Sequence, residues 1–214
     1  MDHTSIEFYL VVDTFLLLLI GLGPKIALVP FLEVTAGIDD ATKGLVVRKM
    51  LTTVGIVAVI LIGLGELLAR LLHFSTGSLS IAGGIILVII AVTMVLGTSE
   101  PQDSPAIKGQ DPMRIAVFPL AVPYLLNPVG VVTLVTLSAE ADSISVVAMV
   151  VGLLAVVLAI DVVVFRVANR FSRHLDEGRM LVTEKIFGML LAALAVQLVL
   201  DGLDSVGIIH LAAH

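Results

Sequence analysis

The sequence predicts an all-α polytopic membrane protein whose six transmembrane helices form two inverted three-helix repeats. Three observations lead to this prediction: the composition, the number of long apolar segments, and a recurring spacing of 104 residues. Of the 214 residues, 58% are hydrophobic and only 14% are charged, and the mean hydropathy is +1.14. Soluble domains are about half apolar and about a quarter charged, so this composition is typical of a chain that uses the bilayer as its solvent.

The composition also limits the partners and the chemistry. A net charge of −6 and an isoelectric point near 5.2 argue against nucleic acid as a partner, because nucleic-acid binding needs a clustered basic face. The chain has no cysteine, which excludes disulfides and thiolate metal sites. It contains no metal-ligand cluster, no nucleophile–base arrangement and no glycine-rich phosphate loop. We therefore expect no catalytic residues, no metal, no cofactor and no enzymatic activity.

Six segments reach the roughly 20 apolar residues that a spanning helix needs. They cover residues 6–33, 48–71, 79–97, 115–138, 145–168 and 182–203. The first segment lacks a basic n-region and an A-x-A cleavage site, so we interpret it as a retained helix and not as a signal peptide. The polar, proline-rich segment 98–114 divides the six helices in half. We expect repeat one at 1–97, a cytoplasmic linker at 98–114 and repeat two at 115–214.

Basic residues are concentrated in the odd-numbered loops. Only Arg70 belongs to an even-numbered loop, and Lys25 lies within a helix. The other ten of the twelve basic residues flank the first, third and fifth loops: Lys43, Arg48, Lys49, Lys108, Arg114, Arg166, Arg170, Arg173, Arg179 and Lys185. Since loops rich in lysine and arginine stay in the cytoplasm, the sequence predicts a multi-pass protein of the cytoplasmic (inner) membrane with both termini outside.

A spacing of 104 residues relates the two halves of the chain. It separates Pro24 from Pro128 and Gly84 from Gly188, and it recurs in Leu87 and Leu191, Ala91 and Ala195, and Leu96 and Leu200. This offset aligns the first helix with the fourth and the third with the sixth. Each half holds three helices, an odd number, so the halves must insert in opposite orientations. Such inverted repeats are a common plan among secondary transporters.

Two proline-containing breaks interrupt the first and fourth helices: "GLGPK" at 21–25 and "LLNPVG" at 125–130. Proline suits the first turn of a helix and asparagine is a good N-cap, so each break is expected to begin a half-helix. The two N-termini would face each other near the bilayer centre and attract a carboxylate. The predicted substrate-binding residues are Gly23, Pro24, Lys25, Asn127, Pro128, Gly130, Thr93 and Gln197. The alternative is a proline kink packed against neighbouring helices, with Lys25 snorkelling.

Ionisable residues inside apolar segments are candidates for function. Asp161 lies deep in the fifth helix, where it could neutralise Lys25 or accept a proton. Glu66 and Arg70 are four residues apart near the outer end of the second helix and are expected to form an interfacial ion pair. For Thr93 and Gln197, which are also 104 residues apart, hydrogen bonding between helices is the alternative to substrate contact.

Three stretches resemble the MarC family of integral membrane proteins. They are "HFSTGSLSIAGGIILVIIAVTMVLG" at 73–97, "FPLAVPYLLNPVGVVTLVTLSAE" at 118–140 and "KIFGMLLAALAVQLVLDGL" at 185–203. In the first, Ala82-Gly83-Gly84 is the specific part, and its glycines are expected to allow close helix packing. The resemblance implies six helices and, from the better-described members, transport of small amino acids.

This chain departs from the family pattern at the breaks. The family usually has Asn-Pro at the first break and Gly-Pro-Gly at the second, whereas this chain has Gly23-Pro24-Lys25 and then Asn127-Pro128-Val129-Gly130. Lys25 stands where the family usually has an uncharged residue. A permanent positive charge at this place could replace a coupling cation, so we expect transport that does not require sodium.

The sequence therefore predicts a secondary transporter of a small neutral amino acid or a similar zwitterionic or anionic solute. Alternating access would come from one repeat rocking against the other. Its partners would be the solute and the lipid bilayer, and a homo-oligomer is compatible with the sequence. The alternatives are a passive channel for a small solute, a lipid-head-group translocase and a structural membrane subunit.

Overall fold

The structure is a computed structural model that describes residues 3–35, 37–96, 111–139, 141, 143–171 and 177–210. These residues form helices and no strand. The helices are α1 (His3–Leu22), α2 (Pro24–Val34), α3 (Asp40–Leu72), α4 (Thr76–Leu96), α5 (Pro112–Ile115), α6 (Pro128–Ala139), α7 (Ile144–Phe171) and α8 (Glu177–Ser205). A π-type segment, Ala116–Leu125, joins α5 to the turn before α6. The expected linker at 98–114 lies outside the described residues except for 111–114.

Five described stretches are long and apolar enough to cross a membrane: Val11–Leu32, Asp40–Leu72, Thr76–Leu96, Ile144–Ala168 and Lys185–Ser205. A sixth candidate is the pair Pro112–Leu125 and Pro128–Ala139, which is bent by 70° at the turn between them. Counting this bent pair as one span gives six crossings. The prediction of an all-helical membrane protein is confirmed, and the six predicted spans correspond to five described ones plus this bent pair.

α3 begins earlier than its apolar segment. Hydropathy placed the second helix at 48–71, but α3 starts at Asp40. Asp39 caps it, because its side-chain carboxylate accepts a hydrogen bond from the Thr42 N–H at 2.9 Å. The first turns carry charged residues, which a hydropathy criterion excludes although the capped helix includes them.

The fourth segment is more broken than predicted. The sequence placed one interruption, at Asn127-Pro128. In the structure Phe118 (φ −138°, ψ 124°) and Val122 (φ −132°, ψ 125°) also leave helical geometry. Each directly precedes a proline, and the proline ring disfavours the helical conformation of the residue before it. The chain between α5 and α6 is therefore irregular before it reaches the 70° bend.

Two hydrophobic cores organise the packing. The larger one joins α1, α2, α3, the π-type segment and α7, and it includes Phe31, Met50, Leu120, Leu154 and Phe165. The smaller one joins α4 and α8 to the beginnings of α2 and α6, and its members are Ile26, Leu87, Ala91, Met94, Val129, Val132, Leu191, Ala195 and Leu198. The two proline-containing breaks lie between these cores.

Glycines bring α4 and α8 together. A Cβ atom added to Gly84 would lie 2.8 Å from the Ala195 carbonyl oxygen, and one added to Gly188 would lie 3.0 Å from Met94 Cβ. One residue before Gly84 on α4, a Cβ on Gly83 would lie 3.2 Å from Pro128 Cβ. The expectation that Gly83, Gly84 and Gly188 permit close packing is confirmed, since larger side chains would hold the helices apart.

Candidate functional site

The two breaks meet inside the protein at Asn127, which is completely buried. Pro24 has no N–H to offer the carbonyl of Ile20, four residues before it, so the first break leaves that carbonyl without its helical partner. The Asn127 side chain fills this role, because its Nδ2 donates to the Ile20 carbonyl at 2.9 Å. The Asn127 backbone N–H donates to the neighbouring Gly21 carbonyl at 3.0 Å. The second break thus completes the hydrogen bonding of the first.

Asn127 also caps α6. Its Oδ1 accepts a hydrogen bond from the Gly130 N–H at 3.2 Å, which confirms the predicted N-cap role. A side-chain amide can donate from nitrogen and accept at oxygen at the same time. An aspartate at this position would keep the cap but could not donate to Ile20 while ionised. The two bonds together explain why the residue before Pro128 is an asparagine.

The backbones of Gly21 and Gly130 are in close contact at the same place. A Cβ atom added to Gly21 would lie 2.5 Å from the Gly130 nitrogen, and one added to Gly130 would lie 2.8 Å from the Gly21 carbonyl carbon. Neither position has room for a side chain. We call the set Ile20, Gly21, Asn127 and Gly130 the break contact, and in this structure it is closed.

Most of the predicted site residues lie at or beside the break contact. Asn127 and Gly130 are part of it, and Pro128 lies between them and faces Gly83 across the α4–α6 interface. Gly23, Pro24 and Lys25 follow Gly21 within four residues; Gly23 is buried, and Pro24 and Lys25 are partly buried. The structure therefore brings six of the eight predicted residues to one region.

Thr93 and Gln197 lie away from the break contact. Thr93 Oγ1 donates to the carbonyl of Ile90 in its own helix at 2.7 Å. It is ten residues from Gly83, or about 15 Å along α4. Gln197 is exposed, and its Nε2 donates to Asp201 Oδ1 at 2.7 Å. Neither residue contributes to the break contact in this conformation.

Lys25 and Asp161 are not paired in the structure. Asp161 is completely buried, and neither of its carboxylate oxygens has a hydrogen-bond partner within the described part of the chain. The Lys25 ammonium therefore donates to neither oxygen. By contrast, the expected ion pair between Glu66 and Arg70 is present. It is exposed, and such pairs contribute little to stability.

The sequence did not reveal the role of Gly21. This glycine belongs to the quoted break "GLGPK", but its partner, Gly130, is 109 positions further along the chain and was expected to contact substrate. A small residue three positions before Pro24 in an apolar helix was the available signal, since small residues mark close helix contacts in membranes. The freed carbonyl of Ile20 could also have been inferred from Pro24.

A surface groove among the described residues lies elsewhere. It has a volume of about 560 Å³, opens at the surface between α3 and α7, and is lined by Leu51, Thr52, Gly55, Ile56, Val59, Ile60 and Leu158. None of the predicted site residues lines it. Because the backbones of Gly21 and Gly130 are in close contact, a solute that binds between the two breaks would have to separate them. That separation would expose two backbone carbonyls as acceptors, and the Asn127 amide and the Gly130 N–H as donors.

Comparison with known proteins identifies relatives over almost the whole chain. The family model described as MarC family integral membrane protein matches residues 8–206. A UPF0056 membrane protein of Buchnera aphidicola from Schizaphis graminum is 25% identical over 195 residues, covering 91% of this chain and 96% of the relative. The UPF0056 inner membrane protein YhgN of Escherichia coli K12 is 28% identical over 165 residues, covering 75% and 79%. A UPF0056 membrane protein of Pyrococcus horikoshii is 26% identical over 196 residues, covering 90% and 92%. No solved structure matches the chain.

Proposed function

The chain belongs to the MarC family of integral membrane proteins, and from this membership and the break contact we propose that it is a secondary transporter. We assign it a small zwitterionic solute, such as a neutral amino acid, and the cytoplasmic membrane as its location. The curated relative named an inner membrane protein supports that location. We assign the protein transport and no catalytic step.

The break contact is the observation on which the proposal rests. Transporters commonly bind substrate where interrupted helices meet, because backbone groups that leave the helix there can bind a ligand instead. Here the Ile20 and Gly21 carbonyls are held by Asn127, and the Gly130 N–H is held by the same side chain. Once the contact opens, the carbonyls suit an ammonium group and the amide donors suit a carboxylate. This combination matches a small zwitterion.

Lys25 adds charge beside these donors. It is partly buried one residue after Pro24, where an ammonium without a partner is costly in hydrocarbon. A substrate carboxylate would supply that partner. The same positive charge would disfavour a cationic solute, so the lysine supports a zwitterion or an anion as the substrate class.

We also propose that the two halves form an inverted repeat. α2 and α6 begin at Pro24 and Pro128, and α3 and α7 begin at Asp40 and Ile144; both pairs are 104 residues apart. The packing is reciprocal as well. α3 packs against α6 and the π-type segment of the second half, whereas α7 packs against α1 and α2 of the first half.

The α4–α8 interface supports the same symmetry. A Cβ atom on Gly84 would lie 2.5 Å from Val199 Cγ2, and one on Gly188 would lie 2.9 Å from Val95 Cγ2. Gly188 is 104 positions after Gly84, and Val199 is 104 positions after Val95, so the two contacts are equivalent under this offset. A two-fold axis in the membrane plane between inverted repeats produces such exchanged contacts. Rocking one half against the other would open the break contact to each side in turn.

Reconstitution tests the proposed function. Purified protein is first screened against small neutral amino acids by thermal shift, because a ligand that binds only the folded state raises its melting temperature. Proteoliposomes preloaded with an unlabelled hit are then given the labelled solute outside. We expect saturable counterflow without any imposed gradient. Uptake that never saturates and shows no counterflow would indicate a channel, and a panel in which no small zwitterion binds or moves would refute the proposal.

A further inference from the structure

Asp161 is a buried ionisable side chain that the break contact does not use. It lies on the stripe of α7 formed by Val150, Leu154, Val157 and Phe165, whose spacing of three and four residues places them on one helix face. This face packs into the larger core against α1, α2 and α3. The carboxyl group is fully enclosed there, and neither oxygen has a hydrogen-bond partner among the residues that the structure describes.

The position of Asp161 along the bundle follows from its neighbour Phe165. The ring of Phe165 meets the ring of Phe31 on α2 with centroids 5.1 Å apart. With six crossings, α2 and α7 run in the same direction across the membrane. Asp161 is four residues before Phe165, or about 6 Å along the axis, which is the level of Ala27 on α2. Lys25 is two residues further from Phe31, so Asp161 lies close to the depth of the first break.

Few charged groups lie where they could neutralise a negative charge on the Asp161 carboxyl group. On the elements packed against α7, Lys25 of α2 is the described titratable residue nearest its depth, and it is unpaired with Asp161 in this conformation. Asp13 of α1 and Arg48 and Lys49 of α3 are exposed, as is Arg166 on α7 itself. Lys43 and Glu66 belong to the end regions of α3. None of these groups hydrogen-bonds the enclosed carboxyl.

An enclosed carboxylate that no described residue hydrogen-bonds is strongly disfavoured, whereas the protonated acid loses far less on burial. We propose that Asp161 is a proton-binding site, which holds a proton while α7 is closed on α1–α3 and releases it when these helices separate. The proton comes from water and returns to water admitted by the separation, and the carboxylate left behind can then meet Lys25. Proton binding by Asp161 does not depend on what the protein transports. The coupling of proton binding to substrate movement, however, rests on the proposed transport function.

Infrared spectroscopy tests proton binding without transport. Wild-type protein in lipid nanodiscs at neutral pH should show the C=O stretching band of a protonated carboxyl group. Asp161→Asn should remove this band. If the asparagine variant does not fold, Asp161→Glu is used instead; it retains a carboxyl group and should shift the band. The exposed Asp13→Asn serves as the matched control and should leave the band unchanged. A wild-type spectrum without the band, or a band that survives in Asp161→Asn, would overturn the proposal.

The pH dependence of folding gives a second readout. A group protonated when folded and ionised when unfolded binds one more proton in the native state, so stability falls as pH rises. Above about pH 5, where an unfolded aspartate is ionised, the folding equilibrium constant of the wild type should fall with rising pH relative to Asp161→Asn, by up to about tenfold per pH unit. Parallel profiles for the two proteins would contradict a protonated Asp161.

An experiment with an imposed pH gradient then distinguishes proton coupling from transport of the substrate alone. In proteoliposomes, an imposed pH gradient should stimulate substrate uptake by the wild type but not by Asp161→Asn, which should retain counterflow. An asparagine variant that responds to the gradient like the wild type would refute the coupling role. If the wild type carries no zwitterion at all, the proposed function fails, and the infrared and folding measurements still decide whether Asp161 binds a proton.

Discussion

At the scale of single residues, Lys25 and Asn127 differ in how their polar groups are bonded at the two breaks. Asn127 forms hydrogen bonds with three partners, Ile20, Gly21 and Gly130, and so holds the contact closed. Lys25 forms none with Asp161, the carboxyl group closest to its depth. This difference is compatible with the proposed function, in which a substrate carboxylate would become the partner of Lys25.

Replacing Lys25 with methionine tests its role in substrate binding. Lys25→Met keeps much of the side-chain length and removes the charge. We expect the variant to insert and fold, but to lose the thermal shift given by a zwitterion that binds the wild type. The exposed Lys49→Met of α3 is the matched control and should retain it. Wild-type transport by Lys25→Met, or strict sodium dependence of the wild type, would show that the lysine only snorkels.

Individual polar residues could be predicted only where the reason is local. The cap at Asn127 follows from the residues around Pro128, and the ion pair of Glu66 and Arg70 follows from their helical spacing. The bond from Asn127 to Ile20 could not be read from the sequence, since it joins positions 107 apart. Gln197 is a different case: its equivalence to Thr93 predicts a site, and in this conformation its side chain donates to Asp201 of its own helix.

At the scale of helices, the close approach of α1 to α6 depends on two glycines. Gly21→Ala would place a methyl group 2.5 Å from the Gly130 nitrogen, where backbone atoms cannot move aside cheaply. We expect a loss of about 1–3 kcal/mol in the free energy of unfolding, as for other overpacked positions. Thermal melting in detergent measures the change.

Gly152→Ala is the matched control for this substitution. Gly152 lies on an exposed part of α7, and a Cβ atom there would meet nothing within 4 Å. Alanine favours a helix more than glycine does, so this variant should keep or gain stability by up to about 1 kcal/mol. Equal melting temperatures for the Gly21 and Gly152 variants would mean that the break contact is looser than the structure has it.

The spans themselves were predictable because their cause is composition. Five apolar segments match described helices to within a few residues at most ends, since burial of side chains in lipid dominates every other term. The fourth segment was predictable in location but not in shape. Its irregularity comes from Pro119 and Pro123, whose local effects on Phe118 and Val122 are not part of the prediction, which rests on Pro128.

At the scale of the whole molecule, the inverted repeat would relate the two cores as well as the two breaks. In the smaller core, the α4 residues Leu87, Ala91 and Met94 are each 104 positions before an α8 residue of the same core. Only two of these three pairs, those of Leu87 and Ala91, are identities in the sequence. Equivalent positions of a repeat can therefore share burial without sharing the same residue, because packing requires a similar environment and not an identical side chain.

The proposed inverted arrangement would also fix which connections share a side of the membrane. The concentration of lysine and arginine in the odd loops predicts that the α2–α3 connection is cytoplasmic, and that the α3–α4 and α6–α7 connections are outside. The chain has no cysteine, so a single introduced thiol reports its own location. Ala41, Ser75 and Ser143 are exposed positions at these three connections.

Labelling in intact cells with a membrane-impermeant thiol reagent measures the topology. Ser75→Cys and Ser143→Cys should react at once, whereas Ala41→Cys should react only after the membrane is permeabilised. Permeabilised cells also provide the control that each thiol is reactive. The reverse pattern would refute the orientation with both termini outside. Labelling that places Ser75 and Ser143 on opposite sides would be more serious, because the bent pair would then not cross the membrane. The two halves would no longer be inverted copies, and the break contact would lose its place between them.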